Sequence, residues 1–212
     1  MVSASPSTVS PAALPSLDAP VPGPAGGRHG GAVVWFTGLS GAGKSTLTQG
    51  VHARLQAQGL ASTVLDGDLL RTGLCADLGF SAADRAENVR RAAEVAALMA
   101  ETGLLVLVAL IAPFADGRLR ARQRVAPRPF VEVYCNAPLS VCEARDPKGL
   151  YRRVRAGQVT EFTGITSPYE APLQPDLVLD TSNASPEHCI DQVLQALSGL
   201  LSPGLQAAGG GS

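Results

Sequence analysis

The stretch Ala32-Val33-Val34-Trp35-Phe36-Thr37-Gly38-Leu39-Ser40-Gly41-Ala42-Gly43-Lys44-Ser45-Thr46 decides how the rest of the chain is read. Its first six residues form an apolar run of strand length, and from Gly38 it fits G-x-x-x-x-G-K-[ST], a phosphate-binding loop. Ser45 to Gln58 then reads as a helix, so strand, loop and helix stand in the order that such a loop requires. The glycines let successive backbone N–H groups turn inward around phosphate oxygens, and the helix N-terminus adds the positive end of its dipole. Lys44 is placed to reach the β/γ-phosphates and Ser45 to ligand Mg²⁺, with Gly38, Ser40, Gly41, Ala42, Gly43 and Thr46 completing the cradle. The loop specifies a nucleoside triphosphate and leaves the reaction open.

Outside the loop, bulk properties narrow the class. The chain has 212 residues and a formal net charge of −1, which suits one α/β domain and argues against a nucleic-acid-coating protein. Cys75, Cys135, Cys142 and Cys189 lack C-x-x-C spacing and ligand-spaced histidines, so they read as packed, reduced thiols of a cytoplasmic protein. Lysine occurs only at Lys44 and Lys148, in a chain that otherwise uses arginine. A compact, flexible ammonium is thus kept at the phosphate loop and at one other place, which marks Lys148 for attention.

Residues 1–31 are rich in Pro, Ser, Ala and Gly and read as a disordered tail, lacking the basic start and apolar run of a secretory signal. Residues 203–212 read as a flexible tail. Between them, in a single domain over 32–202, apolar runs alternate with helical patterns. Strands are expected at Ser62–Leu65, Leu104–Ala112, Phe130–Cys135 and Leu177–Asp180. Ser81-Ala82-Ala83-Asp84 resembles a capping box opening a helix to about Glu101, a further helix spans about 117–125, and Leu139–Arg145 is a short one. Ser185-Pro186-Glu187 opens a final helix to about Leu201. The alternation predicts an α/β three-layer sandwich of the P-loop NTPase type, a central parallel sheet flanked by helices. No run is long enough to span a bilayer.

Ligands in such sheets bind beyond the carboxyl ends of the strands, so the polar residues there carry the chemistry. Asp66, Asp68 and Arg71 follow the second strand, where a carboxylate can orient an attacking hydroxyl or hold Mg²⁺, or simply cap a helix. Arg85 and Asn88, three apart, share a helix face near Phe80 and offer an anion-binding fork and a donor–acceptor pair. Arg90 and Arg91 project elsewhere and read as a solvated basic turn. Residues 145–170 hold Lys148 and a cluster of arginines and read as a mobile lid, with loop aromatics at Phe162 and Tyr169 available to stack on a purine.

Several motifs converge on one family. The segments Leu65-Asp66-Gly67-Asp68 through Arg71, Asp77-Leu78-Gly79-Phe80-Ser81, Asp84-Arg85 and Glu87-Asn88-Val89-Arg90-Arg91 resemble adenylyl-sulfate (APS) kinases. So do Phe130-Val131-Glu132-Val133-Tyr134, Lys148-Gly149-Leu150-Tyr151 and Phe162-Thr163-Gly164-Ile165 with Pro168-Tyr169-Glu170. The resemblance implies transfer of the ATP γ-phosphoryl group, with Mg²⁺, to the 3′-hydroxyl of adenosine 5′-phosphosulfate. It implies that Phe80 and Phe162 sandwich the acceptor's adenine, that Arg71, Arg85 and Asn88 hold its base, sugar and phosphosulfate, and that Ile111 and Ala112 belong to the same substrate-binding set. It assigns Asp68 to the 3′-hydroxyl, Lys148 to the acceptor or the moving phosphoryl, Asp66 to the neighbourhood of Mg²⁺, and Arg152 and Arg155 to ATP. A homodimer and coupling to a sulfate adenylyltransferase are further implications.

The chain departs from the family pattern at Ala112, usually Ser, at Ala115, usually basic, and at Gly117, usually acidic. Direct in-line transfer needs no protein nucleophile, so activity is expected to survive, with altered acceptor binding as the consequence to look for. Kinases of other small acceptors share the loop and lid but are not expected to combine these motifs. A GTPase switch requires an N-K-x-D motif that is absent, whereas a catalytically silent nucleotide-binding partner remains open because of Ala112 and Ala115.

Overall fold

The computed structural model describes residues 30–201. Of the tails expected at 1–31 and 203–212, residues 1–29 and 203–212 lie outside the described residues.

Five strands form one sheet, β1 Ala32–Thr37, β2 Ser62–Asp66, β3 Leu105–Ala109, β4 Phe130–Asn136 and β5 Leu177–Asp180, in the order β2-β3-β1-β4-β5. Every pairing is parallel. Parallel strands need crossovers, supplied by α1 Lys44–Ala57, α2 Gly67–Leu70, α3 Ala82–Glu101, α4 Ala115–Val125, α5 Leu139–Arg145 and α6 Leu150–Arg155, with α7 Pro186–Leu201 closing the chain. The apolar run of β1 is continuous because both faces are covered: all six of its residues are buried. Alternate residues serve different layers. Val34 and Phe36 pack with Leu47, Val51 and Leu55 of α1 and with Val193 and Leu197 of α7. Val33 and Trp35 join Ala92, Ala93 and Ala96 of α3 with Ala121 and Val125 of α4. Small alanines along α3 let it lie close to the sheet.

Helix starts follow local chemistry where the caps are local. Ser81 accepts from the Asp84 N–H at 3.2 Å and donates to the Asp84 carboxylate at 2.7 Å, and Ser185 accepts from His188 N–H at 3.2 Å. Two boundaries differ from the sequence reading. The strand expected to reach Ala112 stops at Ala109, because the chain turns out of the sheet and Ala112 takes a left-handed φ of 44°. α4 begins at Ala115 instead of 117, because Glu170, far along the chain, accepts from the Ala115 N–H at 2.7 Å and caps the helix. A cap supplied from 55 residues away leaves no local trace.

Among the described residues no helix is long and apolar enough to cross a membrane. Leu107 of β3 is fully buried between α1 and the sheet. Leu107→Ala is expected to destabilise the protein by about 2–5 kcal/mol, read from urea unfolding monitored by Trp35 fluorescence.

Candidate active site

The phosphate loop sits at the carboxyl end of β1, at the point where the chain has placed β3 on one side and β4 on the other. A cleft of about 840 Å³ opens there. Its floor includes Ser40, Gly41, Gly43, Lys44, Ser45 and Thr46. Gly38 and Ala42 do not line it: Ala42 is fully buried in the core, and Gly38 lies against the Cys135 carbonyl. These two positions, expected in the cradle itself, anchor it from beneath.

Lys44 is buried and folds back over its own loop, donating to the carbonyls of Gly38 at 3.0 Å and Leu39 at 2.7 Å. Burial lowers its pKa to about 8, and the positive charge of Lys148 acts in the same direction. Next to it, Ser45 Oγ donates to Asp66 Oδ2 at 2.6 Å. Asp66 Oδ1 accepts from the Asp68 N–H at 2.9 Å, so the helix cap considered for Asp68 falls to Asp66. Asp68 is thereby free for the cleft, where its Oδ2 pairs with Lys148 Nζ reaching across from the segment between α5 and α6. The chain's two lysines thus meet one site from opposite sides.

A second wall is formed by Arg71, Phe80, Arg85, Asn88, Ile111, Ala112 and Phe162. Phe80 stands half exposed with the Arg71 guanidinium 4.4 Å and that of Arg85 5.4 Å from its ring centroid. Arg71 Nη1 donates to the Leu78 and Gly79 carbonyls, and Arg85, buried, donates to the Phe80 carbonyl at 2.9 Å and the Glu161 carbonyl at 2.7 Å. Part of each fork is therefore committed to shaping the wall. Asn88 is buried and its Oδ1 has no hydrogen-bond partner among the described residues. An acceptor oxygen left so is costly unless something supplies a donor. Phe162 is largely buried and packs edge-on against Tyr151 at 4.9 Å, so it reaches the cleft as part of the wall and not as a free-standing ring.

Three sets of side chains stand elsewhere than the sequence reading places them. Arg155 points out of the cleft and holds Glu143 bidentately at 2.7 and 2.9 Å, and Arg152 also lies outside the lining. The arginines that do line it are Arg145, which donates to the Gly41 carbonyl at 3.3 Å and to the Thr181 carbonyl, and Arg153. Tyr169 stacks on Tyr134, hydrogen-bonds Thr37 at 3.1 Å and does not line the cleft. Arg91, read as part of a solvated turn, is only 25% exposed and holds Asp77 bidentately. Sequence reasoning also passed over Thr181 and Ala184, which line the cleft beside Arg145. The signal was present, since Thr181 directly follows β5 at the same carboxyl edge that flagged Asp66. The four thiols are buried, and burial raises each pKa, that of Cys135 to about 12, so none supplies a thiolate nucleophile.

Without a nucleophilic thiol, and with ammonium and carboxylate groups gathered over a phosphate cradle, the cleft is suited to passing a phosphoryl group directly between two bound molecules. The chain is a P-loop phosphotransferase. A sequence profile of the family described as "Adenylylsulphate kinase" matches residues 30–180. An adenylyl-sulfate kinase of Burkholderia ambifaria is 55% identical over 165 residues, spanning 78% of this chain and 91% of that protein. The Mycobacterium tuberculosis APS kinase CysC, solved in complex with AMPPNP and APS, superposes with a TM-score of 0.77 at 52% identity, covering 79% of this chain and 97% of that one. A bifunctional CysN/CysC enzyme of Xylella fastidiosa is 54% identical over 165 residues, spanning 78% of this chain and 26% of that protein. The chain belongs to the adenylylsulphate kinase family.

The lowered pKa of Lys44 has a measurable consequence. A bound triphosphate restores the charged form, so the complex holds a proton that the free protein has released above about pH 8. Affinity for Mg·ATP is expected to fall as pH rises through that value, with proton uptake on binding at pH 9. Calorimetry in buffers of different ionisation enthalpy checks this, and Lys44→Met should abolish the uptake.

Proposed function

We propose that this chain transfers the γ-phosphoryl group of Mg·ATP to the 3′-hydroxyl of adenosine 5′-phosphosulfate, giving 3′-phosphoadenosine 5′-phosphosulfate and ADP. The observation that carries the reading is the Asp68–Lys148 pair spanning the cleft between the phosphate loop and the Phe80–Asn88 wall. A carboxylate and an ammonium at that junction are what a hydroxyl acceptor needs, one to take its proton and the other to balance charge on the moving phosphoryl group.

The donor side is the phosphate loop with Lys44 on the phosphates. Arg145, Arg153, Thr181 and Ala184 line its outer end and suit the nucleoside of ATP. The Ser45 hydroxyl and the Asp66 carboxylate form a hard oxygen pair that fits Mg²⁺. Held by Ser45 and Asp66, the ion would supply positive charge to offset that of the phosphates. Asp68 orients the 3′-hydroxyl and accepts its proton, and Lys148 exchanges its contact with Asp68 for the phosphoryl oxygens. Phe80 and Phe162 bound the acceptor's adenine, the unpaired Asn88 Oδ1 takes a hydrogen bond from that base, and Arg71 and Arg85 face its anionic groups. Ile111 and Ala112 close the pocket from beyond β3. Ala112, whose left-handed backbone is held by Arg118 donating to its carbonyl at 2.8 Å, has no hydroxyl to carry a phosphoryl group, which fits direct transfer. We further place the protein in the cytoplasm, as a homodimer working beside an enzyme that supplies APS. The fused Xylella fastidiosa relative supports the coupling.

The test is incubation with Mg·ATP and APS, scoring ADP and the 3′-phosphorylated product. Asp68→Asn and Lys148→Ala should each lower turnover by about 10²-fold or more, while Arg90→Ala leaves it unchanged. ATP turnover with other small hydroxyl acceptors but not APS would overturn the assignment. APS binding without turnover would favour a silent nucleotide-binding role.

A further inference from the structure

Two neighbouring arginines in the middle of α3 behave differently. Arg90 stays on its own helix, 59% exposed, pairing with Glu87 at 2.7 Å and Glu94 at 3.8 Å. Arg91 reaches off the helix. Its Nη1 and Nη2 donate to the two oxygens of Asp77 at 2.6 and 2.8 Å, Nη1 also donates to the Leu74 carbonyl at 2.9 Å, and Nε donates to Glu87 at 2.9 Å. One planar fork thus satisfies four acceptors in a fixed geometry, which a lysine ammonium cannot reproduce.

Leu74 and Asp77 belong to residues 71–80, a run of turns between α2 and α3 without a regular ladder of its own. That run begins with Arg71 and ends with Phe80, both on the cleft wall. Among the described residues its other side-chain hydrogen bond to α3 is Arg85 at the Phe80 carbonyl, at the segment's far end, while the buried Cys75 and the partly buried Leu78 pack in the layer that α3 covers. Arg91 grips its middle and does not itself line the cleft.

We infer that Arg91 is a positioning residue for the acceptor: by holding Leu74 and Asp77 it presets Arg71 and Phe80 in the arrangement that receives APS. The inference rests on the acceptor side proposed above. Ordering a ten-residue turn segment only when the acceptor arrives costs conformational entropy, so a preset segment binds more tightly. The benefit is shared by ground state and transition state, so losing it raises KM for the acceptor and leaves kcat nearly alone. The phosphate loop is on the opposite wall, so KM for ATP should not move.

The experiment uses the full chain in two readouts. In steady-state assays, Arg91→Ala should raise KM for APS on the order of tenfold with kcat and KM for ATP unchanged, and Arg90→Ala should change none of them. Arg91→Lys should recover little, because it cannot span both loop acceptors. Asp77→Asn should give part of the effect, and the double variant should be no worse than Arg91→Ala alone. In hydrogen exchange, residues 71–80 should open faster in Arg91→Ala and Asp77→Asn but not in Arg90→Ala. That second readout needs no acceptor, so it tests the tether even where APS proves to be the wrong substrate. Unchanged exchange over 71–80, or a rise in KM for ATP matching that for APS, overturns the inference. Should Arg91→Ala fail to fold, Asp77→Asn, which alters the loop end of the contact, carries the same two readouts.

Discussion

The whole site depends on a steric constraint at two glycines. A Cβ at Gly38 would lie 2.6 Å from the Cys135 carbonyl oxygen, and one at Gly41 would lie 2.8 Å from that of Cys142. Both residues also adopt positive φ, 148° and 78°, where side chains are strained. The phosphate loop is therefore wedged against the end of β4 on one side and α5 on the other. That contact sets where the chain from α5 onward must run. Arg145 donates to the Gly41 carbonyl, and the buried Tyr151 donates its hydroxyl to the Ser40 carbonyl at 2.9 Å while its ring packs on Phe162. Donor cradle and acceptor wall are joined through one tyrosine.

Charge is arranged around that wedge with little redundancy. Lys44 is held by carbonyls of its own loop, in a place where burial disfavours its charge until phosphates arrive. Asp66 is used twice, as the cap of α2 and as the partner of Ser45, and this double use leaves Asp68 to meet Lys148. The deeper ion pair, Arg118 with Glu132 at 2.8 Å, lies behind Ala112 and holds the turn that ends β3. This buried pair is tolerated because Arg118 meets the Glu132 carboxylate and also donates to the Ala112 carbonyl.

Legibility in the sequence followed the range of the interaction responsible. The strand–loop–helix unit at β1, the Ser81–Asp84 box and the Ser185 cap depend on residues within a few positions of each other, and all were readable. The α4 start was not, because its cap is Glu170. The arginines were the least readable. Arg152, Arg153 and Arg155 are equivalent in composition, yet only Arg153 lines the cleft, because α6 is turned by the burial of Tyr151 and Val154, while Arg145 reaches it from the end of α5. Arg90 and Arg91 likewise differ only in which of them points at the turn holding Asp77.

By itself, then, the sequence determined the layered α/β architecture, the triphosphate cradle and the identity of the family, since each rests on periodicity or on contiguous motifs. The tertiary structure alone decided which long side chains work as ligands and which as struts. A helix residue's face is set by packing partners tens of residues away, and a one-position change of an arginine on a helix rotates it by about 100°. That rotation separates Arg91, tied to Asp77 and Leu74, from Arg90, which remains in solvent.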